Sequence, residues 1–189
     1  YQTAYLKANY PAEFTAAALT SEMNNTSKLA QMLEEAKRSD FDVRPPSINQ
    51  SEAGFTVEQG DLRFGLGAIK GVGTSAIESL VSARENHGPF ETLFDLCENL
   101  DLRAVNKKTL ECLAEAGALD DLEGHRVQFL EAMDDVVRHA QKVQNDRAMG
   151  QNSLFGDMGE QNALSAPSLP EVDHWSKSER LKHERERAG

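Results

Sequence analysis

The sequence predicts a mostly α-helical bundle carrying a small β-hairpin, with two bends between helices marked by glycine. Three observations predict this. Apolar residues recur at helical spacing in successive stretches of the chain. That spacing stops between residues 43 and 66, where two prolines are followed by two short apolar runs flanking Glu58-Gln59-Gly60-Asp61. From Leu66 to Val81, Gly71 and Gly73 bracket the single apolar residue Val72, with Leu66 and Ile69 before them and Ala76, Ile77, Leu80 and Val81 after. A short helix, a tight turn and a longer helix would then share one buried face.

In chain order, Tyr1-Gln2-Thr3-Ala4-Tyr5-Leu6-Lys7-Ala8 starts in mid-pattern with no methionine and no cap, as a piece of a longer chain would. Pro11 suits the first turn of a helix running through Phe14, Ala17, Ala18 and Leu19. Asn24, Asn25 and Thr26 offer a break and a cap for a third helix with Leu29, Met32, Leu33 and Ala36 on one face. Residues 1–42 therefore read as a small helical subdomain. Residues 43–66 follow as an extended segment and hairpin: Pro45 and Pro46 forbid helix and bias Arg44 towards an extended form. Gly54–Val57 and Leu62–Leu66 are the expected strands.

Residues 67–148 read as a helical domain built on the glycine bend. Gly88-Pro89-Phe90 breaks the chain, and Thr92 to Asn99 is expected to be helical with Leu93, Phe94, Leu96 and Cys97 inward. Asn106 can cap a helix with Leu110, Leu113 and Ala114, which Gly117 ends. Ala116-Gly117-Ala118-Leu119 sits where a second bend would lie, lacks a second glycine and is followed by Asp120 and Asp121, which would repel phosphate; it reads as mainly structural. His125 to about Ala148 forms one long amphipathic helix with Leu130, Met133, Val137 and Ala140 on the packing face. Residues 149–170 read as a flexible linker and residues 171–189 as a charged helical connector of mixed sign.

Composition narrows the function classes. The two cysteines, Cys97 and Cys112, form no CxxC pair, and the histidines do not cluster, so neither a disulfide framework nor a zinc site is indicated. With no signal peptide and no apolar run near 18 residues, the expected setting is cytoplasmic, away from membranes. The net charge is −11: −3 over residues 1–60, −2 over 61–114, −6 over 115–160 and zero over 161–189. Phosphate affinity comes largely from Lys and Arg, so a nucleic-acid contact here must be local. No Ser or Cys partners a His at a spacing that implies nucleophilic catalysis, so no catalytic and no metal-binding residue is assigned.

The glycine bend carries the chemistry. Glycine reaches positive φ cheaply and lets another backbone approach. Beyond Gly73, Thr74 and Ser75 open a helix whose first amides have no intrahelical partner, and with the positive end of the helix dipole they form an anion site. Lys70 adds a full charge one residue before the turn. Lys70, Gly71, Val72, Gly73, Thr74 and Ser75 are the candidate contacts to a phosphate backbone, and both glycines are expected to be needed for the turn. Arg103, Lys107 and Lys108 form one compact basic cluster that either meets the opposite strand or is a solvated helix start.

The pattern Ile69, Gly71, Val72, Gly73, Ala76 resembles the helix-hairpin-helix DNA-binding motif, which grips phosphates through backbone amides and so reads position rather than sequence. A wider resemblance covers most of the chain. YQTAYLKANYP at Tyr1 to Pro11, Ala12-Glu13-Phe14, Pro45-Pro46-Ser47-Ile48-Asn49 and Phe64-Gly65-Leu66-Gly67-Ala68-Ile69-Lys70-Gly71-Val72-Gly73, in this order, resemble the C-family bacterial replicative DNA polymerases, the DNA polymerase III alpha-subunit family. The resemblance implies the end of the fingers followed by a tandem helix-hairpin-helix that holds double-stranded primer-template DNA. It also implies the other holoenzyme subunits as partners. The palm aspartates that bind Mg2+ would lie upstream of Tyr1, so no cofactor is expected in this segment.

Gln151-Asn152-Ser153-Leu154-Phe155 is similar to the pentapeptide by which bacterial polymerases dock on the sliding clamp. Leu154 and Phe155 would fill an apolar pocket, Gln151 would hydrogen-bond at its rim and Ser153 takes the small-residue position; Asn152 departs from the usual aliphatic residue. Two rival readings stand beside this one. A DNA glycosylase is echoed by Gly88, Pro89 and Asp95 but lacks a lysine nucleophile after Gly73. A protein-interaction module would make the glycines merely structural.

Overall fold

Pro11 takes the first position of helix α2 (Pro11–Ser21), directly after α1 (Gln2–Asn9), and Asn25 caps α3 (Thr26–Arg38) by accepting the Lys28 amide at 3.2 Å. The computed structural model describes residues 2–39, 41–149 and 168–188. Helix α1 buries none of its side chains, and α2 packs through Ala12, Ala16 and Leu19. Phe14 and Ala18 stay half-buried and Ala17 exposed, so the inward face is rotated from the Phe14/Ala17/Ala18 path read in the sequence. In α3, Leu29, Leu33 and Ala36 are buried and Met32 lies at the edge.

The chain then becomes extended, as the prolines require, but it contributes a strand that the sequence did not signal. Strands β1 (Val43–Arg44), β2 (Thr56–Glu58) and β3 (Asp61–Arg63) form a sheet of order β1-β3-β2, with β1 parallel to β3 and β2 antiparallel to it. Two residues are too few for any alternation to show. The β2–β3 turn has positive φ at both Gln59 (56°) and Gly60, the requirement of a type I′ hairpin. Thr20 of α2 receives the Phe55 amide on its hydroxyl at 2.9 Å, and Phe55 meets Phe64 edge to face at 4.9 Å, which fastens the sheet to the first helices.

After β3 a 3₁₀ turn at Leu66–Ala68 precedes α4 (Thr74–His87), followed by α5 (Leu93–Asn99), α6 (Lys107–Ala116), α7 (Arg126–Ala148) and α8 (Lys177–Ala188). The architecture is mostly α, with eight helices and one small sheet among the described residues. Thr92 and Asn106 cap α5 and α6 by accepting the amides of Asp95 and Thr109. Phe129, Ala132, Met133, Val136 and Ala140 are the buried face of α7, with Leu130 and Val137 flanking it. One continuous apolar core runs from Ala16 to Ala140.

The Pro45-Pro46-Ser47-Ile48-Asn49 block is the clasp of this core. Ile48 is buried and its amide donates to the Ala118 carbonyl at 2.9 Å. The Asn49 side chain donates to the Phe90 carbonyl and accepts the Phe90 amide, both at 2.9 Å. The Ser47 hydroxyl donates to Asp121 and accepts the Asn49 and Gln50 amides at 3.1 Å. Asn49→Ala leaves both Phe90 main-chain groups unpaired beside a buried ring and is expected to cost about 1–3 kcal/mol, read as a lower urea midpoint with an unchanged slope. A midpoint equal to wild type would remove Asn49 from the clasp.

Candidate nucleic-acid interface

The first bend is built as a close approach of backbone. Gly71 has φ +91°, and a Cβ there would lie 2.6 Å from the Cys112 sulfur of α6. Both its conformation and its space call for glycine. Gly73 differs from expectation: its φ is −84°, an ordinary extended value, and nothing lies within 4 Å of where a Cβ would stand. The turn itself therefore does not require glycine at position 73. The expected first helix is also shorter than the sequence suggested, a single 3₁₀ turn, because Gly65 and Gly67 lie against the main chain of residues 52–54; the amides of Leu66 and Gly67 pair with the carbonyls of Glu52 and Ala53 at 2.9 Å.

Val72 is the buried residue of the bend, with Ile69 before it and Ala76 and Ile77 after it. Lys70, Gly71, Gly73, Thr74 and Ser75 are exposed. Among the described residues the amides of Gly71, Gly73, Thr74 and Ser75 find no acceptor, whereas the Val72 amide bonds the Ile69 carbonyl at 3.2 Å and the Lys70 amide bonds the Arg187 carbonyl at 2.8 Å. Gly73 stands at the N-cap of α4 with no side chain to satisfy those donors. A 14-residue helix thus presents its positive end and three unpaired amides to solvent next to a fourth at Gly71.

The surrounding cations are sorted by their partners. Lys70, Arg103 and Lys108 are exposed and enter no ion pair among the described residues. Lys107 is held by Asp134 at 2.6 Å, with Glu111 at 3.7 Å, and this hydrogen bond raises its pKa. The ammonium of Lys107 is therefore already neutralised locally. Lys108 lies one turn of α6 before Cys112, the residue that underlies Gly71. Burial raises the Cys112 pKa against the opposing pull of the Arg187 charge. Burial, with the Glu98 charge adding to it, pushes the Cys97 thiol up to about 12, which leaves it an inert core group.

Three arginines that the sequence gave no reason to set apart work inside the fold. Arg63 is buried against Glu58, Gln50 and the Pro45 carbonyl. Arg84 donates to the Ile48 and Ser51 carbonyls and pairs with Glu52. Arg126 is held between Asp120 at 2.6 Å and Glu184 at 2.8 Å. A buried guanidinium cannot be told from an exposed one by residue type, and only the tertiary fold separates them.

The second bend is closed. Gly117 ends α6 in the left-handed conformation at φ +85°. Ala116, Ala118 and Leu119 are buried, Asp120 grips Arg126, and Asp121 accepts the Ser47 hydroxyl. Asp95 is a local helix cap: its carboxylate accepts the Glu91 amide and the Asn99 side chain, each at 3.2 Å, and it lies inside α5 rather than in a reactive loop. This speaks against the glycosylase reading. Gln151, Asn152, Ser153, Leu154 and Phe155 lie outside the described residues.

A model of the helix-hairpin-helix motif matches residues 40–129, which contain both bends. The chain is 42% identical over its full length to the DNA polymerase III subunit alpha of Pasteurella multocida. It is 42% identical over 97% of its length to that of Caulobacter vibrioides, and 38% identical over its full length to that of Escherichia coli. It spans 16% of the length of each of these relatives.

Proposed function

We propose, from the premise that this chain corresponds over its whole length to one segment of DNA polymerase III alpha subunits, that it holds double-stranded primer-template DNA without reading its sequence. The observation that carries the proposal is the exposed row of unpaired amides at Gly71, Gly73, Thr74 and Ser75 opening α4. Phosphate oxygens spaced along a strand accept from such amides, and base edges are not involved. Lys70 supplies the charge at the rim, and Arg103 and Lys108 are the further cations free to approach the duplex; Lys107 contributes only if phosphate displaces Asp134. With a net charge of −11, the bulk of the electrostatic attraction must come from other parts of a polymerase.

No step of phosphoryl transfer is assigned to this chain. Among the described residues no three His, Cys, Asp or Glu side chains gather as a metal site. The second element of the proposal is docking on the sliding clamp through Gln151, Ser153, Leu154 and Phe155. It is supported by the pentapeptide pattern and by its place two residues beyond Met149, the exposed C-cap of α7. Contacts with the other polymerase III holoenzyme subunits would follow from this placement.

Titration of a fluorescent duplex at several salt concentrations tests the DNA contact. Lys70→Ala is expected to weaken binding a few-fold and to reduce the slope of log affinity against log salt by about one counterion. An unchanged slope would remove Lys70 from the interface. Equal affinity for duplexes of unrelated sequence is the accompanying expectation, and a strong sequence preference would overturn the phosphate-only reading.

A further inference from the structure

Helix α5 ends without a cap of its own. In α2, α3, α4, α6 and α7 the amide of the C-cap residue bonds back to a carbonyl of the last turns. Leu100, the C-cap of α5, makes no such bond among the described residues and leaves extended, at φ −89° and ψ 150°. The open carbonyls are taken by a side chain of another helix. Gln144, half-buried near the end of α7, donates from Nε2 to the carbonyls of Cys97, Glu98 and Leu100 at 3.1, 3.2 and 2.8 Å. Three acceptors around one side-chain amide fix its orientation, because only its NH2 group can answer them. Beyond this closed end the chain turns at once. The Asp101 carbonyl accepts the Ala104 and Val105 amides at 3.0 and 2.9 Å, and the Asp101 carboxylate accepts the Arg103 amide at 2.9 Å. Leu100 and Val105 are buried at the two ends of the turn, and Arg103 stands exposed on it.

We propose that Gln144 is a positioning residue for the DNA contact: by closing the end of α5 it sets the direction in which the 101–105 turn leaves, and so where Arg103 meets the duplex. This role rests on the reading of Arg103 as a phosphate contact. Without the Gln144 donor the last carbonyls of α5 turn to water or tighten into a 3₁₀ turn, and Leu100 moves with them. Asp101 passes the shift to Arg103, since its carbonyl and its carboxylate hold the turn together. The bend at Gly71, seated on Cys112, is touched by none of these bonds.

Salt dependence separates this role from a merely structural one. A smaller folded fraction lowers apparent affinity by one factor at every salt concentration, so it leaves the slope of log affinity against log salt alone. A lost phosphate contact lowers that slope by about one. In the full chain, Gln144→Met keeps the length and helix propensity of the side chain and removes the donor. It is expected to bind fluorescent duplex a few-fold more weakly, with the slope reduced by about one, as Arg103→Ala does; the slope is read on whatever fraction stays folded. The two changes together should match Arg103→Ala alone, since both remove the same contact. Gln144→Lys keeps a donor able to bond the last carbonyls of a helix and should retain at least the wild-type slope. A full slope in Gln144→Met, an additive loss in the double variant, or a slope in Gln144→Lys as low as in Gln144→Met overturns the positioning role and leaves Arg103 as a contact. A full slope in Arg103→Ala removes that contact and the role with it, while the bend at Lys70 stands. Failure of wild type to bind duplex at any salt concentration overturns the interface as a whole.

Discussion

Gly71→Val loses at least tenfold in affinity for duplex DNA and melts at lower urea. The side chain must adopt a left-handed backbone at φ +91°, a strain of about 1–3 kcal/mol. Its Cβ must also enter the space of the Cys112 sulfur, 2.6 Å away, at an overpacking cost of about 1–3 kcal/mol. The chain relieves both by shifting the bend, which turns the amides of Gly71 to Ser75 out of line. Gly73→Val supplies the contrast. Its position has ordinary φ and open space, so the cost is confined to the preference for glycine over a β-branched residue at a helix N-cap, about 1 kcal/mol, without the strain and overpacking of Gly71→Val. Its binding should still fall, because the added side chain stands where a phosphate would approach the opening of α4. A fluorescent-duplex titration beside a urea melt reads both quantities; Gly71→Val binding as wild type would refute the assignment of the bend.

The second large effect lies outside the described residues. On the proposed clamp docking, Leu154→Ala with Phe155→Ala should abolish binding to a bacterial sliding clamp, since aliphatic and aromatic anchors carry most of the energy of such short peptides. Duplex affinity should be unchanged, because the pair is remote in sequence from the bend and carries no charge. Surface-bound clamp and soluble chain give the first measurement, and the duplex titration gives the second. No clamp binding by wild type, or clamp binding that survives the double substitution, would overturn the assignment of Gln151 to Phe155 as a docking peptide.

Much of this fold could be read from residue order because its signals are local. Asn25 and Asn106 cap the helices they precede, Gly117 ends α6, and the prolines at 45 and 46 keep their segment extended. Gly71 was legible as a turn glycine for the same reason. The misreadings have a common physical origin in contacts between distant positions. Gly73 looks like Gly71 in the sequence, but only Gly71 lies over a helix, and Cys112 sits 41 positions away. The two-residue strand β1 exists through its pairing with β3. Lys107 reads as a free cation beside Lys108 until α7 brings Asp134 to it. Arg187 reads as one more charge in a mixed helix, and its carbonyl contact with Lys70 could not be seen at all.

The clasp formed by Ser47, Ile48 and Asn49 bears on how this region can be recombined. Its bonds reach Phe90 in the connection between α4 and α5, and Ala118 and Asp121 in the connection between α6 and α7. A chimera that grafts the glycine bend of one polymerase onto the second bend of another would have to carry residues 45–51 with matching seats on both halves, or its crossover point would fall through the middle of a lock. The heritable unit here is the strip of chain together with the loops it fastens, which is larger than either hairpin taken singly.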